Sequence, residues 1–150
     1  MGHSPLHKLV VAALTALAGR INSDVCHLQI QLPVSCPPDS EPEPDASIVR
    51  GTPRDYRDRL PGPADVSCVV QVAHSSLQRD REVKLPIYAA ADLSQYVLIN
   101  LENNTIEVYT DPEPAAEQYR TKATLDRQQA LALRLPQGGA FTLAAVEVLP

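Results

Sequence analysis

The chain has no tryptophan, one phenylalanine, six glycines and three cysteines in 150 residues. With aromatic residues at 4%, we expect a core of aliphatic side chains. The glycines form neither GxGxxG nor GxxxxGK[ST], so the sequence lacks the two common phosphate-cradling loops. The cysteines have no metal-ligand spacing, and we expect buried or incidental thiols in a reducing cytoplasm: Cys26, Cys36 and Cys68.

The charge and the length set further limits. A formal net charge of −5 argues against a general nucleic-acid binder but leaves room for a local DNA cleft. The apolar run at 9–18 is too short to span a bilayer, and no clean cleavage site follows it. We therefore expect a cytoplasmic protein without membrane contact, folded as one domain over residues 1–150.

The pattern of apolar residues predicts an α/β protein. Ser4-Pro5 is typical of a helix start, and Gly19 suits the C-cap. An apolar stripe at helical spacing lies between them: Leu6, Leu9, Val10, Ala13, Leu14 and Leu17. His7 lies beside this stripe and is expected to be solvated or to cap the helix. A second helix is predicted over 80–91, starting late because Pro86 restricts its first turn. Strands are predicted at 25–32, 45–50, 66–73, 96–101, 105–110, 119–125, 130–135 and 141–148. This order predicts a mixed central β-sheet flanked by α-helices.

The chemistry is concentrated between residues 40 and 84. Two predicted strands deliver Asp45, Gln71 and His74, and Lys84 follows on the predicted helix. Metal-dependent phosphodiester cleavage uses carboxylates that hold one or two Mg²⁺ ions and a lysine that positions or deprotonates water. Neighbouring strands lie about 4.8 Å apart, so Asp45 and residue 71 are placed to share one ion, with Lys84 leaning over them.

Several linked motifs resemble the Uma2 family of restriction-endonuclease-like proteins, which has the PD-(D/E)XK nuclease fold. They are SEPEPD at 40–45, RDYRDRLPGP at 54–63, VVQVAHSSL at 69–77, DREVKLPIYA at 80–89 and YVLINL at 96–101. The resemblance implies a restriction-endonuclease-like core and Mg²⁺-dependent DNA hydrolysis. It implies that Asp45 is a metal ligand, that Gln71 stands where the family has its ligand glutamate, and that Lys84 is the family's lysine. The family's N-terminal segment is expected to be absent from this chain.

The departures from the family pattern share one direction. Gln71, His74, Gln95 and Asn100 each stand where the family tends to carry a carboxylate. An amide oxygen coordinates Mg²⁺ or Mn²⁺ without formal charge, so metal affinity is expected to fall and activity to be weakened or lost. For His74 two interpretations stay open, a partly exposed loop histidine or an imidazole beside the remnant metal site.

Three function classes follow. The first is a Mg²⁺-dependent endonuclease with Asp45, Gln71 and Lys84 at its site. The second is a pseudonuclease that serves as a DNA- or protein-binding module, and the third is a homo-oligomeric structural protein. Six arginines are candidates for a phosphate-binding rim, although acidic neighbours make salt-bridged loops the plainer expectation: Arg50, Arg54, Arg57, Arg59, Arg79 and Arg81. An unpaired sheet edge would favour a homodimer.

Overall fold

The structure is a computed structural model and describes residues 4–150. Its longest helix is α1 (Pro5–Ile21). A continuous helical segment consists of α2 (Leu77–Arg79), a π-helical turn (Asp80–Lys84) and α3 (Leu85–Ala90). The strands are β1 (Cys26–Ile30), β2 (Ala46–Arg50), β3 (Val66–Ala73), β4 (Gln95–Asn100), β5 (Thr105–Glu113), β6 (Gln118–Leu125), β7 (Ala130–Arg134) and β8 (Ala140–Ala144).

The first six strands form one mixed sheet in the order β1-β2-β3-β4-β5-β6. Strands β3 and β4 are parallel, and the other neighbouring pairs are antiparallel. The parallel pair is joined through the helical segment 77–90, as a parallel crossover requires. Strands β7 and β8 form a separate hairpin. The predicted α/β class with a mixed central sheet and flanking helices is confirmed.

The sheet is covered by an apolar layer on each face. One layer joins α1 and the β7–β8 hairpin to the sheet through aliphatic residues, including Leu14, Val70 and Leu133. The other packs the segment 77–90 and contains three of the five tyrosines, Tyr88, Tyr96 and Tyr109. All eight residues of β3 are buried, which agrees with its nearly continuous apolar sequence at the centre of the sheet.

Helix α1 begins where the sequence predicts but turns a different face to the sheet. Ser4 is the N-cap, and its Oγ accepts a hydrogen bond from the His7 N–H at 3.1 Å. The predicted end at Gly19 is wrong, because the helix runs on to Ile21 with Asn22 as its C-cap. The buried stripe comprises His7, Val10, Leu14, Leu17 and Ile21, so the expectation of a solvated His7 is also wrong.

The second helical segment corrects another prediction. It starts at Leu77 rather than at or after Asp80. Pro86 has no N–H and cannot close a regular turn, and the wider π turn that precedes it lets the chain pass without a break. This turn carries Asp80 and Lys84, so their placement depends on the irregularity.

Three smaller outcomes concern the remaining predictions. Strand β1 ends at Ile30 rather than at residue 32, because Gln31 has a positive φ of 52°. The three cysteines are free and buried as expected, and burial raises the pKa of the Cys36 thiol to about 11. Among residues 4–150, no helix combines the length and apolar character that a membrane crossing needs.

Candidate active-site cleft

Asp45 lies immediately before β2, beside the carboxyl-terminal end of the central strand β3. Its side chain is almost fully buried, with 5% exposed. Its Oδ2 accepts hydrogen bonds from the Val72 N–H at 2.8 Å and from Gln71 Nε2 at 3.1 Å. Its Oδ1 accepts one from Gln31 Nε2 at 3.3 Å and lies 3.3 Å from His7 Nε2. Both carboxylate oxygens are therefore surrounded by nitrogen atoms of the protein itself.

The first two site residues predicted from the sequence are thus in direct contact. Gln71 is buried on β3 and uses its amide nitrogen as a donor to Asp45. A glutamate at this position has no such donor and would set a second negative charge against the first. The amide oxygen, Gln71 Oε1, is buried and has no hydrogen-bond partner among the described residues. The amide nitrogen of Gln71 therefore has Asp45 as its partner, whereas its amide oxygen has none among the described residues.

Next to this pair is a pocket of about 250 Å³ at the carboxyl-terminal end of β3. Gln71, Lys84 and His74 all line it, so the structure brings the predicted residues to one cleft. His74 is half-buried, and its Nδ1 lies 2.8 Å from the Oγ of the helix cap Ser4. His74 is therefore a partly exposed residue after β3 that borders the cleft and contacts a hydroxyl rather than Asp45, so both of its interpretations stay open.

Lys84 lines the pocket together with a carboxylate that the sequence reasoning did not single out. Asp80 is buried at the floor of the same pocket and accepts a hydrogen bond from Ser76 Oγ at 2.7 Å. Burial raises the pKa of the Asp80 carboxyl, while the Ser76 hydrogen bond and the positive charge of Lys84 oppose that rise. The negative charge of Asp45 raises the pKa of Asp80 further, so the two acids lie close enough to sense each other.

The residues at the cleft do not fit a Mg²⁺ ion. Such an ion needs near-octahedral oxygen ligands at about 2.0–2.1 Å, with carboxylates among them. A carboxylate offers about four lone-pair sites, and those of Asp45 face three N–H donors and the His7 imidazole. Within residues 4–150, no three His, Cys, Asp or Glu side chains are grouped closely enough to hold a metal. Among the described residues that line the pocket, Gln71 Oε1 is the one oxygen that is both buried and without a hydrogen-bond partner.

The other two amides that replace family carboxylates have local partners. Gln95 Nε2 donates to the Ala132 carbonyl at 2.9 Å, and its Oε1 accepts from the Arg134 N–H at 2.9 Å, which ties β4 to β7. Asn100 Nδ2 donates to Glu107 Oε2 at 3.3 Å, and its Oδ1 accepts two N–H groups of the following turn. These amides are explained by the packing of the sheet.

Glu107 is a further buried acid that the sequence reasoning missed. It lies on β5 and accepts hydrogen bonds from Arg81 Nε at 3.1 Å and from the Tyr109 hydroxyl at 2.5 Å. Its second oxygen pairs with Arg81 Nη2. Burial alone would raise the pKa of Glu107, but the hydrogen bonds from Arg81 and Tyr109 outweigh it, and the pKa lies below its ordinary value. Arg81 is therefore paired with Glu107, which makes it a poor candidate for a contact with phosphate.

His7 is the most informative residue that the sequence reasoning misplaced. It lies three residues before Val10, and the buried positions then continue at intervals of three and four to Ile21. The same spacing would have put His7 on the buried face if Leu6 and Leu9 had not been counted in the stripe. Those two leucines are 38% and 57% exposed. The sequence reasoning therefore missed which side of the helix faces the sheet, and with it the burial of His7.

Comparison with known proteins supports the assignment of the fold and the family. No curated protein matches the chain. A solved structure described as a "putative nuclease belonging to DUF820" from Anabaena variabilis ATCC 29413 aligns with a TM-score of 0.65 and 12% identity, covering 99% of this chain and 80% of that one. At that identity the likeness concerns the fold alone. The model of the Uma2 family, described as "Putative restriction endonuclease", matches residues 1–145. The chain belongs to the Uma2 family.

Proposed function

We propose that the protein is a nuclease-fold domain that binds the phosphate backbone of nucleic acid at the cleft and does not hydrolyse it with Mg²⁺. The observation that carries this proposal is the hydrogen-bonded state of Asp45. Gln71 donates to it at the position where the family has a second acid, and Val72 and Gln31 occupy further lone pairs. Metal binding would have to break these contacts, and Gln71 would add no negative charge to hold the ion.

The positive side chains at the cleft support the binding part of the proposal. Arg79 and Lys84 line the pocket with His74, and neither Arg79 nor Lys84 has an ion-pair partner within 4.0 Å among residues 4–150. Phosphate contacts from arginine and lysine position a protein on nucleic acid without reading its sequence. Three arginines of the predicted rim are engaged elsewhere, as the plainer expectation had it: Arg57 with Asp58, Arg59 with Asp65, and Arg81 with Glu107.

The test is fluorescence anisotropy with a labelled DNA duplex and a labelled single strand over a series of salt concentrations. Each phosphate contact adds about 0.9 to the slope of log K against log salt for duplex DNA. We expect Lys84→Gln and Arg79→Gln each to weaken binding and to lower the slope by about 1. Arg54→Gln, which removes an exposed arginine outside the cleft, is the matched control. Absence of DNA binding, or equal losses in the control, would contradict the proposal.

A second candidate is a weak metal-dependent endonuclease, as the family description implies. The buried, unpartnered oxygen of Gln71 favours it, because such an atom is a ready ligand for a cation. A cleavage assay with supercoiled DNA in Mg²⁺ and in Mn²⁺ separates the two candidates. Cleavage that is lost in Asp45→Ala and raised in Gln71→Glu would support the second candidate. No cleavage with either metal, in the unmodified chain and in Gln71→Glu alike, would leave the first.

A further inference from the structure

A second pocket lies at the opposite end of β3 from the cleft. It has a volume of about 400 Å³ and is formed where β2, β3 and the β7–β8 hairpin meet. Ser67, near the start of β3, lines it, whereas Gln71 lines the cleft. Four residues of extended strand separate these two positions, about 13 Å at roughly 3.3 Å per residue. The two pockets are therefore distinct sites.

Two arginines without carboxylate partners line this second pocket. Arg50 and Arg134 form no ion pair within 4.0 Å in the part of the chain that the structure describes. The pocket's own carboxylate, Asp65, already has a positively charged partner. Its Oδ2 accepts hydrogen bonds from Arg59 Nη1 at 2.8 Å and from the Gly62 N–H at 3.0 Å. The Arg59 hydrogen bond also lowers the pKa of Asp65, so the carboxylate stays ionised and paired with Arg59.

Both guanidinium groups contact the protein, with Arg134 half-buried and Arg50 exposed. Arg134 Nη1 donates to Ser94 Oγ at 2.9 Å, and the Arg134 backbone is fixed at both ends by Gln95 Oε1 and Ser67 Oγ. Arg50 Nη2 donates to the Pro136 carbonyl at 3.3 Å. A guanidinium has five N–H donors, and these contacts use only part of them. The N–H groups that remain are of the kind that bind phosphate by two parallel hydrogen bonds.

The far wall of the pocket is a turn that leaves the site accessible. Gly138 and Gly139 join β7 to β8 with φ values of 102° and 73°, a backbone conformation that favours glycine. An added Cβ at either position would meet no atom within 4 Å, so the space above the turn is open. A phosphate group attached to a larger molecule can therefore enter without displacing protein atoms.

We propose that Arg50 and Arg134 form a binding site for a phosphate monoester, separate from the cleft at Asp45. The ligand is a dianionic phosphate group held by the free N–H groups of the two guanidiniums, with Ser94 as an orienting neighbour of Arg134. The same chemistry is offered by inorganic phosphate and by the 5′-phosphate at an end of a nucleic-acid strand. Binding of either ligand at this site is independent of whether the cleft at Gln71 and Lys84 binds nucleic acid.

Isothermal titration of the full chain at constant ionic strength tests the site with three probes. These are inorganic phosphate, a 5′-phosphorylated tetranucleotide, and the same tetranucleotide with a 5′-hydroxyl. Binding of inorganic phosphate and of the phosphorylated strand with equal affinity assigns the site to the phosphate group alone. Tighter binding of the phosphorylated strand assigns it to strand ends. The proposal would be overturned by no binding of either phosphate, or by equal binding of the hydroxyl and phosphorylated strands that neither Arg50→Gln nor Arg134→Gln changes.

The variants locate the site. Arg50→Gln and Arg134→Gln should each weaken phosphate binding about tenfold or more, as expected for lost hydrogen bonds to a charged group. Arg134→Lys keeps the charge, loses the fork, and should fall between, while thermal unfolding checks that each variant is folded. Arg54→Gln, at an exposed arginine that lines neither the cleft nor this pocket, should leave phosphate affinity unchanged. Loss of phosphate binding in Lys84→Gln but not in Arg50→Gln or Arg134→Gln would refute this site and leave the cleft proposal intact.

Discussion

The substitution Gln71→Glu tests the central contact of the cleft. In the structure Gln71 Nε2 donates to Asp45 Oδ2 at 3.1 Å, and both residues are buried. The substitution removes this donor and introduces a second acid in its place. Two ionised carboxylates about 4 Å apart repel each other by about 4 kcal/mol at an effective dielectric constant of 20. The alternative is to keep the introduced carboxyl protonated.

The cost of protonation depends on pH and sets the size of the effect. A glutamate ordinarily has a pKa of about 4.3, and each pH unit above it costs about 1.36 kcal/mol if the group is held neutral. The cost is therefore about 1 kcal/mol at pH 5 and about 5 kcal/mol at pH 8. Because the lower of the two costs applies, we expect a loss of about 1 kcal/mol at pH 5 and about 4 kcal/mol at pH 8. The sign follows from linkage, since the pKa of the introduced carboxyl is raised by folding and destabilisation grows as pH rises.

Urea unfolding at pH 5 and pH 8 measures this difference, with Gln118→Glu as the matched control. Gln118 is exposed on β6, so the same added charge should change stability by less than about 0.5 kcal/mol there. Mn²⁺ at about a hundred times its Kd would restore about 2.7 kcal/mol to Gln71→Glu and leave the unmodified chain unchanged. Equal stability of Gln71→Glu and the unmodified chain at pH 8 without metal would refute the contact.

Three further predictions concern other buried acids and the sheet edges. Burial raises the pKa of Asp80, so its negative charge destabilises the folded state above the ordinary pKa of about 3.9. In urea unfolding at pH 7, Asp80→Asn should therefore be at least as stable as the unmodified chain. Any gain in stability should disappear below about pH 4. Glu107 has a lowered pKa, so it contributes stability above about pH 4.3 that is lost in acid, and Glu107→Gln should cost about 2 kcal/mol at pH 7 but little at pH 3 by the same measurement. Strands β1 and β6 are the two edges of the sheet, and we propose that a second copy covers one of them, which light scattering would contradict by showing a stable monomer.

Much of the fold could be predicted because its signals are local. The continuous apolar run at 66–73 predicted β3 with its exact bounds, and Ser4-Pro5 predicted the start of α1. Asn104 lies between the strands predicted at 96–101 and 105–110, and its φ of 58° is a turn conformation that asparagine tolerates. Errors occurred where a local rule was overridden by packing. The π turn that lets the helix start at Leu77 depends on how Pro86 is accommodated, and no residue spacing indicates it.

The site was predictable only in part, since its hydrogen bonds join distant parts of the chain. The family resemblance brought Asp45, Gln71 and Lys84 into one hypothesis. In the structure Gln71 and Lys84 line one cleft, and Asp45 is in contact with Gln71. The resemblance could not indicate the contacts of Asp45 with Gln31 and His7. These residues lie 14 and 38 positions before Asp45 in the chain. Asp80 was seen in the sequence only as one charge among several.

The hydrogen bond between Gln71 and Asp45 also bears on what the fold needs in order to be stable. Two buried carboxylates in contact require a cation or a shared proton, because their repulsion would otherwise consume much of the 5–15 kcal/mol of a typical domain. An amide in contact with a carboxylate requires neither, since the N–H group supplies the compensation itself. The chain can therefore keep its buried Asp45 in the absence of any metal. The amide at position 71 thus frees the folded state from dependence on a cation at this contact, and it does so beside a cleft lined by two further positive side chains, Arg79 and Lys84.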